Sequence, residues 1–252
     1  MHMIYITGDC HREFGCFSTK NFPEQKEMTK DDFVIICGDF GAIWDKDKES
    51  KEEKYYLDWL ESKPYTTLFV DGNHENYDRL YCYPVVEWHG GKVHEIRPSV
   101  LHLMRGQVFD IDGKSVFSFG GASSHDISGG ILDPDDPDYK KKKKELDQGW
   151  MPYRINHISW WKEELASEEE LEEGWKNLAA HDYKVDFIIS HCCATSTQLL
   201  LNPMCMPDAE TDYLEDIRKK VDFRRWFFGH YHDNRNVTSK EVLLYDQIIR
   251  IV

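Results

Sequence analysis

The sequence predicts an α/β fold, and three observations lead to that prediction. First, five short apolar runs are continuous and rich in β-branched and aromatic residues, which is typical of strands buried on both faces. Second, helical patterns separate several of these runs, as expected where strands and helices alternate. Third, further short apolar runs in the middle and at the end of the chain predict a second sheet that packs on the first.

Helix starts are visible between the five continuous runs. Ser50-x-x-Glu53 and Ser167-x-x-Glu170 resemble capping boxes, in which the two side chains satisfy free N–H groups at the start of a helix. A third helix is predicted over residues 208–221. The five strands of the first sheet are predicted at residues 4–6, 33–37, 67–70, 187–190 and 226–228.

The second sheet is predicted from shorter runs. Asp112-Gly113 is a hairpin signal, because both residues tolerate the positive φ of a tight turn. The last two runs of the chain are interpreted as one more antiparallel pair. The strands of this sheet are predicted at residues 100–104, 107–111, 115–119, 242–245 and 248–252.

The segment 124–156 differs from the rest of the chain, because it is polar and contains three prolines and the lysine run 140–144. It is predicted to be a long surface insertion in a single domain that spans residues 1–252. Whether it lies near the active site is left open. The lysines are interpreted as a solvated helix face, with phosphate binding as the alternative.

Composition and charge exclude several classes of protein. The formal net charge of −15 disfavours broad non-specific DNA binding, because it repels a polyanion. No run approaches the ~20 apolar residues that a membrane span requires, and the first residues do not resemble a signal peptide. Seven scattered cysteines are interpreted as thiols in a reducing compartment, so a cytoplasmic location is expected.

Residues that can bind metal ions follow the five continuous strands. Ligands bind at the carboxyl ends of strands in open α/β sheets, so these residues converge if the five strands share one sheet. Carboxylate, imidazole and amide oxygen donors together suit manganese, iron or zinc better than calcium. Seven donors are too many for one tetrahedral site but suit two ions that share a bridging carboxylate. The seven are Asp9, His11, Asp39, Asn73, His191, His230 and His232.

Each part of this pattern is weak by itself. A lone Asp-x-His is common by chance, and the glycines before Asp9, Asp39, Asn73 and His230 also fit ordinary turns at strand ends. The adjacent Cys10, Cys192 and Cys193 are expected to be structural or incidental, because neighbours on an extended segment point in opposite directions. The joint pattern, in which candidate donors follow each of the five predicted strands, indicates the site.

The sequence resembles the calcineurin-like metallophosphoesterases in these five blocks. The resemblance covers nearly the whole chain, and its most specific part is the block at residues 72–75. It implies a four-layer α/β/β/α sandwich of two mixed sheets, with a dinuclear metal site between the sheet edges. The blocks are Gly8-Asp9-Cys10-His11, Gly38-Asp39, Gly72-Asn73-His74-Glu75, His191 and Gly229-His230-Tyr231-His232.

The resemblance also implies a role for each matching residue. His74 would be the catalytic histidine and would bind no metal; with Asn73 it would contact the substrate. A metal-bound hydroxide would attack phosphorus, and His74 would protonate the leaving-group oxygen or hydrogen-bond to it. The first ion would be bound by Asp9, His11, Asp39 and His232, and the second by Asp39, Asn73, His191 and His230.

Other features refine the resemblance. The stretch 105–123 is similar to a bacterial and phage branch of the family, and Trp160-Trp161 supports this more weakly. The Asp-Arg pair that follows the bridging aspartate's motif in Ser/Thr protein phosphatases is missing after Asp39, which counts against a phosphatase of that type. Arg12 would bind substrate phosphate, since guanidinium binds phosphate oxygens in a bidentate way, with a surface salt bridge as the open alternative.

The predicted activity is hydrolysis of a small phosphate mono- or diester by an enzyme with two transition-metal ions. One alternative is a nuclease of the same family, for which only the lysine run 140–144 offers a basic track, so nucleic acid is an unlikely partner. Another is a non-catalytic protein-binding scaffold. The sequence does not indicate the physiological substrate, the native metals or the oligomeric state.

Overall fold

A computed structural model describes residues 2–252 of the chain. Within this range the chain forms fifteen β-strands and six α-helices, together with three short 3₁₀ helices. The strands are β1 (Ile4–Thr7), β2 (Phe33–Ile36), β3 (Thr66–Phe69), β4 (Val85–Trp88), β5 (Gly91–Arg97), β6 (Val100–Leu103), β7 (Gln107–Ile111), β8 (Lys114–Phe119), β9 (Ile131–Leu132), β10 (Arg154–Ile155), β11 (Lys184–Ser190), β12 (Asp222–Phe228), β13 (Arg235–Asn236), β14 (Glu241–Leu243) and β15 (Ile249–Arg250). The helices are α1 (Lys51–Glu61), α2 (Tyr77–Leu80), α3 (Tyr139–Gly149), α4 (Glu168–Ala180), α5 (Thr195–Leu201) and α6 (Ala209–Lys220).

Most of the strands belong to two large mixed sheets. The first has the order β15-β1-β2-β3-β6-β5-β4, in which β1, β2, β3 and β6 are parallel. The second has the order β13-β14-β12-β11-β8-β7, in which β14, β12, β11 and β8 are parallel. The other strands of these two sheets pair antiparallel at the margins. Each sheet therefore collects the carboxyl ends of four central strands at one edge.

Buried side chains form three apolar layers. One lies between the sheets and includes Ile6 of β1 and Ile189 of β11. A second packs α1 on the outer face of the first sheet through Leu57. The third packs α4 and α6 on the outer face of the second sheet through Leu178 and Leu214. The arrangement is a four-layer α/β/β/α sandwich of two mixed sheets, which confirms the predicted fold class.

The three predicted helices form where their sequence signals lie. At the start of α1, Ser50 Oγ accepts a hydrogen bond from the Glu53 N–H, and the Glu53 carboxylate accepts one from the Ser50 N–H. Ser167 and Glu170 form the same capping box at the start of α4. Helix α6 follows Asp208, whose side chain accepts a hydrogen bond at the helix start. Local capping chemistry therefore determined these boundaries.

The prediction that the five continuous strands share one sheet is wrong. Strands β1, β2 and β3 lie in the first sheet, whereas β11 and β12 lie in the second. Both groups are buried on both faces, because each sheet has a helical layer on one side and the other sheet on the other. Continuous apolar runs are expected for either position, so hydropathy did not distinguish them.

The membership predicted for the second sheet is only partly right. The β7–β8 hairpin at Asp112-Gly113 is confirmed and lies in the second sheet. Strand β6, however, pairs with β3 in the first sheet. The two last strands do not pair with each other, since β14 is parallel to β12 and β15 is antiparallel to β1. The β4–β5 hairpin was not predicted.

The segment 124–156 forms one helix and a short pair of parallel strands. Strands β9 and β10 pair with each other and with neither large sheet. Helix α3 carries the lysine run and has no buried residue, as predicted for a solvated helix face. Across residues 2–252, no helix is both long enough and apolar enough to cross a membrane.

Candidate metal centre

The metal-capable residues meet where the carboxyl edges of the two sheets face each other. Asp9 and Asp39 follow β1 and β2 of the first sheet, and His191 directly follows β11 of the second. Nε2 of His191 lies 3.3 Å from Oδ1 of Asp39, so this contact joins the two sheets. The residues converge as expected at strand ends, but between two sheets rather than at the edge of one.

Four of the predicted donors form a compact cluster. In the part of the chain that the structure describes, each of them offers a ligand atom within 4.8 Å of the others. Nε2 of His232 lies 3.2 Å from Oδ2 of Asp9, and Nε2 of His11 lies 3.4 Å from Oδ2 of Asp39. The members are Asp9, His11, Asp39 and His232.

Two more of the predicted donors, His191 and Asn73, lie on the side of the opposite oxygen of Asp39. Nε2 of His191 lies 3.3 Å from Oδ1 of Asn73 as well as 3.3 Å from Oδ1 of Asp39. Nδ1 of His191 lies 2.8 Å from the Cys37 carbonyl oxygen and donates to it, so Nε2 is the nitrogen that would bind a metal ion after losing its proton. Asp39 therefore faces the compact cluster through Oδ2 and the His191 side through Oδ1.

His230 lies next to Asp9 and His191. Its backbone N–H donates to the carboxylate of Asp9, at 2.9 and 3.0 Å from the two oxygens. Its ring lies 5.0 Å from the ring of His191. Nε2 of His230 is 2.8 Å from Nε2 of His125, a residue that the sequence did not indicate. The segment 124–156 therefore reaches the site at His125.

Four of the donors have a backbone conformation with positive φ. Non-glycine residues with positive φ cost about 1–3 kcal/mol each and persist only where the surrounding structure holds them. Such strain is often found at functional sites. The donors with positive φ are His11 (46°), Asp39 (45°), His230 (69°) and His232 (49°).

Two glycines of the sequence blocks are required by close approach. A Cβ at Gly72 would lie 2.1 Å from Oδ1 of Asp39, and a Cβ at Gly229 would lie 1.9 Å from Oδ1 of Asp9. Any side chain at either position would push a carboxylate out of the cluster. These glycines therefore do more than form ordinary turns at strand ends.

Comparisons with known proteins agree with this geometry. The model of the calcineurin-like phosphoesterase family matches residues 2–234. The chain belongs to the calcineurin-like phosphoesterase family. It is 28% identical to lariat debranching enzyme A of Xenopus laevis over 151 residues, which cover 55% of this chain and 27% of the relative. It is 26% identical to the lariat debranching enzyme of Danio rerio over 140 residues, which cover 50% and 23%. The chain thus spans about a quarter of the length of these curated relatives.

Membership of the calcineurin-like phosphoesterases implies divalent metal ions at this site. The donor set fits such ions, because it combines ionised carboxylates with imidazole nitrogens and an amide oxygen. Burial favours the neutral form of Asp39, but His191, His74 and His11 hold the pKa of its carboxyl well below its usual range. Burial also lowers the pKa of His191, but the carboxylates of Asp39 and Asp9 outweigh it and raise that pKa to about 10.

His74 lies beside the donors and contacts them through its backbone and its ring. Its N–H donates to Oδ1 of Asp39 at 2.9 Å, and its ring is perpendicular to that of His11 at 4.8 Å. Nε2 of His74 lies 3.0 Å from Nη2 of Arg154 and accepts its hydrogen bond. Burial lowers the pKa of His74 to about 4, and Arg154 adds to this effect while Asp39 opposes it. The ring is therefore neutral at pH 7.

Arg12 is already engaged by protein groups. Its Nη2 lies 3.2 Å from Oε1 of Glu53, which is fully buried, and its Nε donates to the Gly41 carbonyl oxygen at 3.0 Å. The salt-bridge alternative describes this arrangement, in which Glu53 is buried and two more exposed carboxylates, those of Asp45 and Glu52, lie 3.5 and 3.7 Å from the guanidinium. The role of Arg12 in binding substrate phosphate stays a prediction.

Sequence reasoning missed the groups that support the Gly72-Asn73 turn. Asp71 is buried and pairs with Arg105, which also accounts for the low pKa of Asp71 against the effect of burial. The hydroxyl of Tyr77 lies 2.7 Å from the Gly72 carbonyl oxygen and donates to it. The buried carboxyl of Glu75 accepts a hydrogen bond from the Phe40 N–H at 2.7 Å. Asp71 directly precedes the most specific sequence block, residues 72–75, and this position is the sequence signal that could have indicated its supporting role.

The cysteines near the donors are buried thiols. All seven cysteines of the chain are free, and Cys10, Cys192 and Cys193 are buried. Burial raises the pKa of each of these three thiols, so they are neutral at pH 7. None of them belongs to the compact cluster. Their structural or incidental role stays a prediction.

Proposed function

We propose that this protein hydrolyses phosphoester bonds with two transition-metal ions bound at the joined edges of its sheets. The observation that carries the proposal is the position of Asp39, whose two carboxylate oxygens face two different groups of donors. Manganese, iron or zinc suits the mixed donors. One ion would be held by Asp9, His11, Asp39 and His232, and the other by Asp39, Asn73, His191 and His230.

The residues of the proposed site would have separate roles in binding the ions and the substrate. Ions bound here would supply Lewis acidity, which activates water and neutralises charge on phosphate oxygens. The Cys37 carbonyl holds Nδ1 of His191, so that Nε2 stays directed at the donors. Asn73 and His74 would lie against the substrate. Arg12 would add a phosphate contact only if the substrate displaced part of its pairing with Glu53.

His74 would assist departure of the leaving group. Because Nε2 accepts the hydrogen bond from Arg154, the neutral ring carries its proton on Nδ1. We propose that Nδ1–H donates a hydrogen bond to the leaving-group oxygen and stabilises the negative charge that develops there as the bond to phosphorus breaks, while the ring stays neutral. Assistance of this kind typically contributes ~10²–10⁴-fold to the rate.

Metal-dependent hydrolysis tests the proposal directly. The purified chain is stripped with a chelator, reloaded with Mn²⁺, Fe²⁺ or Zn²⁺, and assayed on a phosphomonoester and a phosphodiester. We expect activity to vanish on chelation and to return at two ions per chain. If the reloaded protein binds no metal, or hydrolyses neither ester, the proposed function is wrong and a non-catalytic scaffold becomes the better interpretation.

The role of His74 has its own test. We expect His74→Asn to retain both ions and to lower kcat by about 10²–10⁴-fold on esters with poor leaving groups. The deficit should shrink as the leaving group becomes more acidic, because such a leaving group needs less stabilisation of its developing charge. A deficit of equal size across the whole series would show that His74 does not act on the leaving-group oxygen. Metal content measured on the same samples distinguishes a slower chemical step from a loss of metal binding.

A phosphodiester in nucleic acid is the second candidate substrate. It is favoured by the similarity to lariat debranching enzymes, which stands against our expectation that nucleic acid is an unlikely partner. The formal net charge of −15 opposes it, since a polyanion is repelled except at a local basic surface. Parallel assays on single-stranded and branched oligonucleotides and on a small diester would distinguish the two.

A further inference from the structure

The buried side chain of Arg154 connects the exposed segment 124–156 to the proposed active site. Arg154 is the first residue of β10, and its side chain is only 6% exposed. It reaches the turn that contains Asn73 and His74, about eighty residues earlier in the chain. An arginine is seldom buried unless its donors are paired, so these contacts define its role.

The guanidinium of Arg154 is held at three of its nitrogens. Nε donates to Oδ1 of Asp126 at 2.6 Å. Nη1 donates to the carbonyl oxygens of Asn73, at 3.2 Å, and Ser159, at 3.3 Å. Nη2 donates to Nε2 of His74 at 3.0 Å. A planar guanidinium fixes the directions of these bonds, which the single ammonium of a lysine does not.

The ring of His74 depends on this contact for its orientation. Among the described residues, Arg154 is the one hydrogen-bond partner of its imidazole, and the other contacts are with aromatic rings. The rings of His11 and Trp44 lie 4.8 and 5.6 Å away and limit the position of the imidazole without distinguishing its two nitrogens. Arg154 donates to Nε2 and to the carbonyl oxygen of the preceding Asn73, so it fixes the ring relative to its own backbone.

We propose that Arg154 is a positioning residue that orients His74 for catalysis. Through it, the segment 124–156 becomes part of the active site although its helix is solvated. The inference rests on the proposed role of His74. It assigns to Arg154 no contact with the substrate, and it places the loss caused by removing Arg154 in kcat rather than in KM.

A double-mutant cycle tests this inference. Arg154→Ala should lower kcat by about 10²-fold, the cost of misplacing a catalytic group by about 1 Å, with little change in KM. In a His74→Asn background the same substitution should cost nothing more, because no imidazole remains to be positioned. Arg154→Lys should recover only part of the loss. Arg97→Ala is the matched control, since Arg97 is also a partly buried, ion-paired arginine, and it should leave kcat unchanged.

The outcomes are distinguishable. Full kcat in Arg154→Ala, or an equal loss with and without His74, would overturn the inference, because Arg154 would then act by itself or through the fold. A normal rate in His74→Asn would instead show that the proposed function of His74 is wrong. If Arg154→Ala does not fold, ¹⁵N-histidine NMR of the unmodified chain decides, with His74→Asn to assign the signal. We expect Nε2 of His74 to be unprotonated, and a proton on Nε2 would overturn the inference.

Discussion

The loops at the strand ends and the segment 124–156 both reach the proposed active site, but they do so in different ways. The loops follow β1, β2, β3, β11 and β12 within a few residues, so the sheets fix their positions. The segment pairs with neither large sheet, and its helix α3 has no buried residue. It reaches the site through two side chains, Arg154 and His125.

The two regions therefore position the residues of the proposed active site in two different ways. At the strand ends, glycines allow the backbone to approach the carboxylates closely, and several donors have a strained backbone with positive φ. The donors there are therefore positioned by many short contacts. In the segment, one buried guanidinium contacts both the backbone and the imidazole ring of the turn that contains His74. We therefore expect substitutions in the loops to disturb metal binding or folding, and substitutions in the segment to be silent except at the few residues that touch the site.

The largest expected effect is that of Asp39→Asn. Asp39 faces both groups of donors, so the change weakens both proposed metal sites at once. We expect it to reduce metal content and hydrolysis more than any other single donor substitution. Inductively coupled plasma spectrometry and an ester assay on the same preparation measure this. Asp31→Asn is the control, because Asp31 is exposed and precedes the amino end of β2 whereas Asp39 follows its carboxyl end. Equal behaviour of the two variants would contradict the prediction.

The next largest effect concerns the free energy of unfolding, to which the buried Asp71–Arg105 pair below the Gly72-Asn73 turn contributes. Arg105→Met would leave the buried carboxylate of Asp71 without its arginine, and breaking a buried pair in this way typically costs about 3–5 kcal/mol. Urea unfolding should show a clearly lower midpoint. Lys142→Met is the matched control in the segment, because it removes an exposed pair with Asp136 and should leave the midpoint unchanged. Similar midpoints for both variants would remove the distinction between the two regions.

The smallest effect is expected for the lysine run 140–144. Replacing all five lysines with glutamine should not change kcat/KM for a small phosphoester, because the run lies on a helix without buried residues. The same variant tests the second candidate substrate. If a nucleic acid is bound along α3, the kcat/KM of the variant for a nucleic-acid substrate would be lower than that of the parent and less sensitive to salt. A loss on the small ester as well would mean that the segment is coupled to the site beyond Arg154 and His125.

Much of the fold was predictable because its signals are local. Ser50, Ser167 and Asp208 mark the starts of three helices through hydrogen bonds that span three residues. Asp112-Gly113 marks a hairpin for the same reason. The candidate donors were also predictable, since each follows a buried strand and their order along the chain resembles one family. The structure brings four of these donors within 4.8 Å of one another.

The sequence by itself determined most of the central strands, three helix starts and the candidate metal ligands, because residue type and short spacing carry that information. Only the tertiary structure decided which sheet each strand joins, since a strand buried on both faces has the same hydropathy in either sheet. The tertiary structure also decided the roles of Arg154 and His125. Their partners His74 and His230 are 80 and 105 residues away, and no local pattern encodes a contact at that separation.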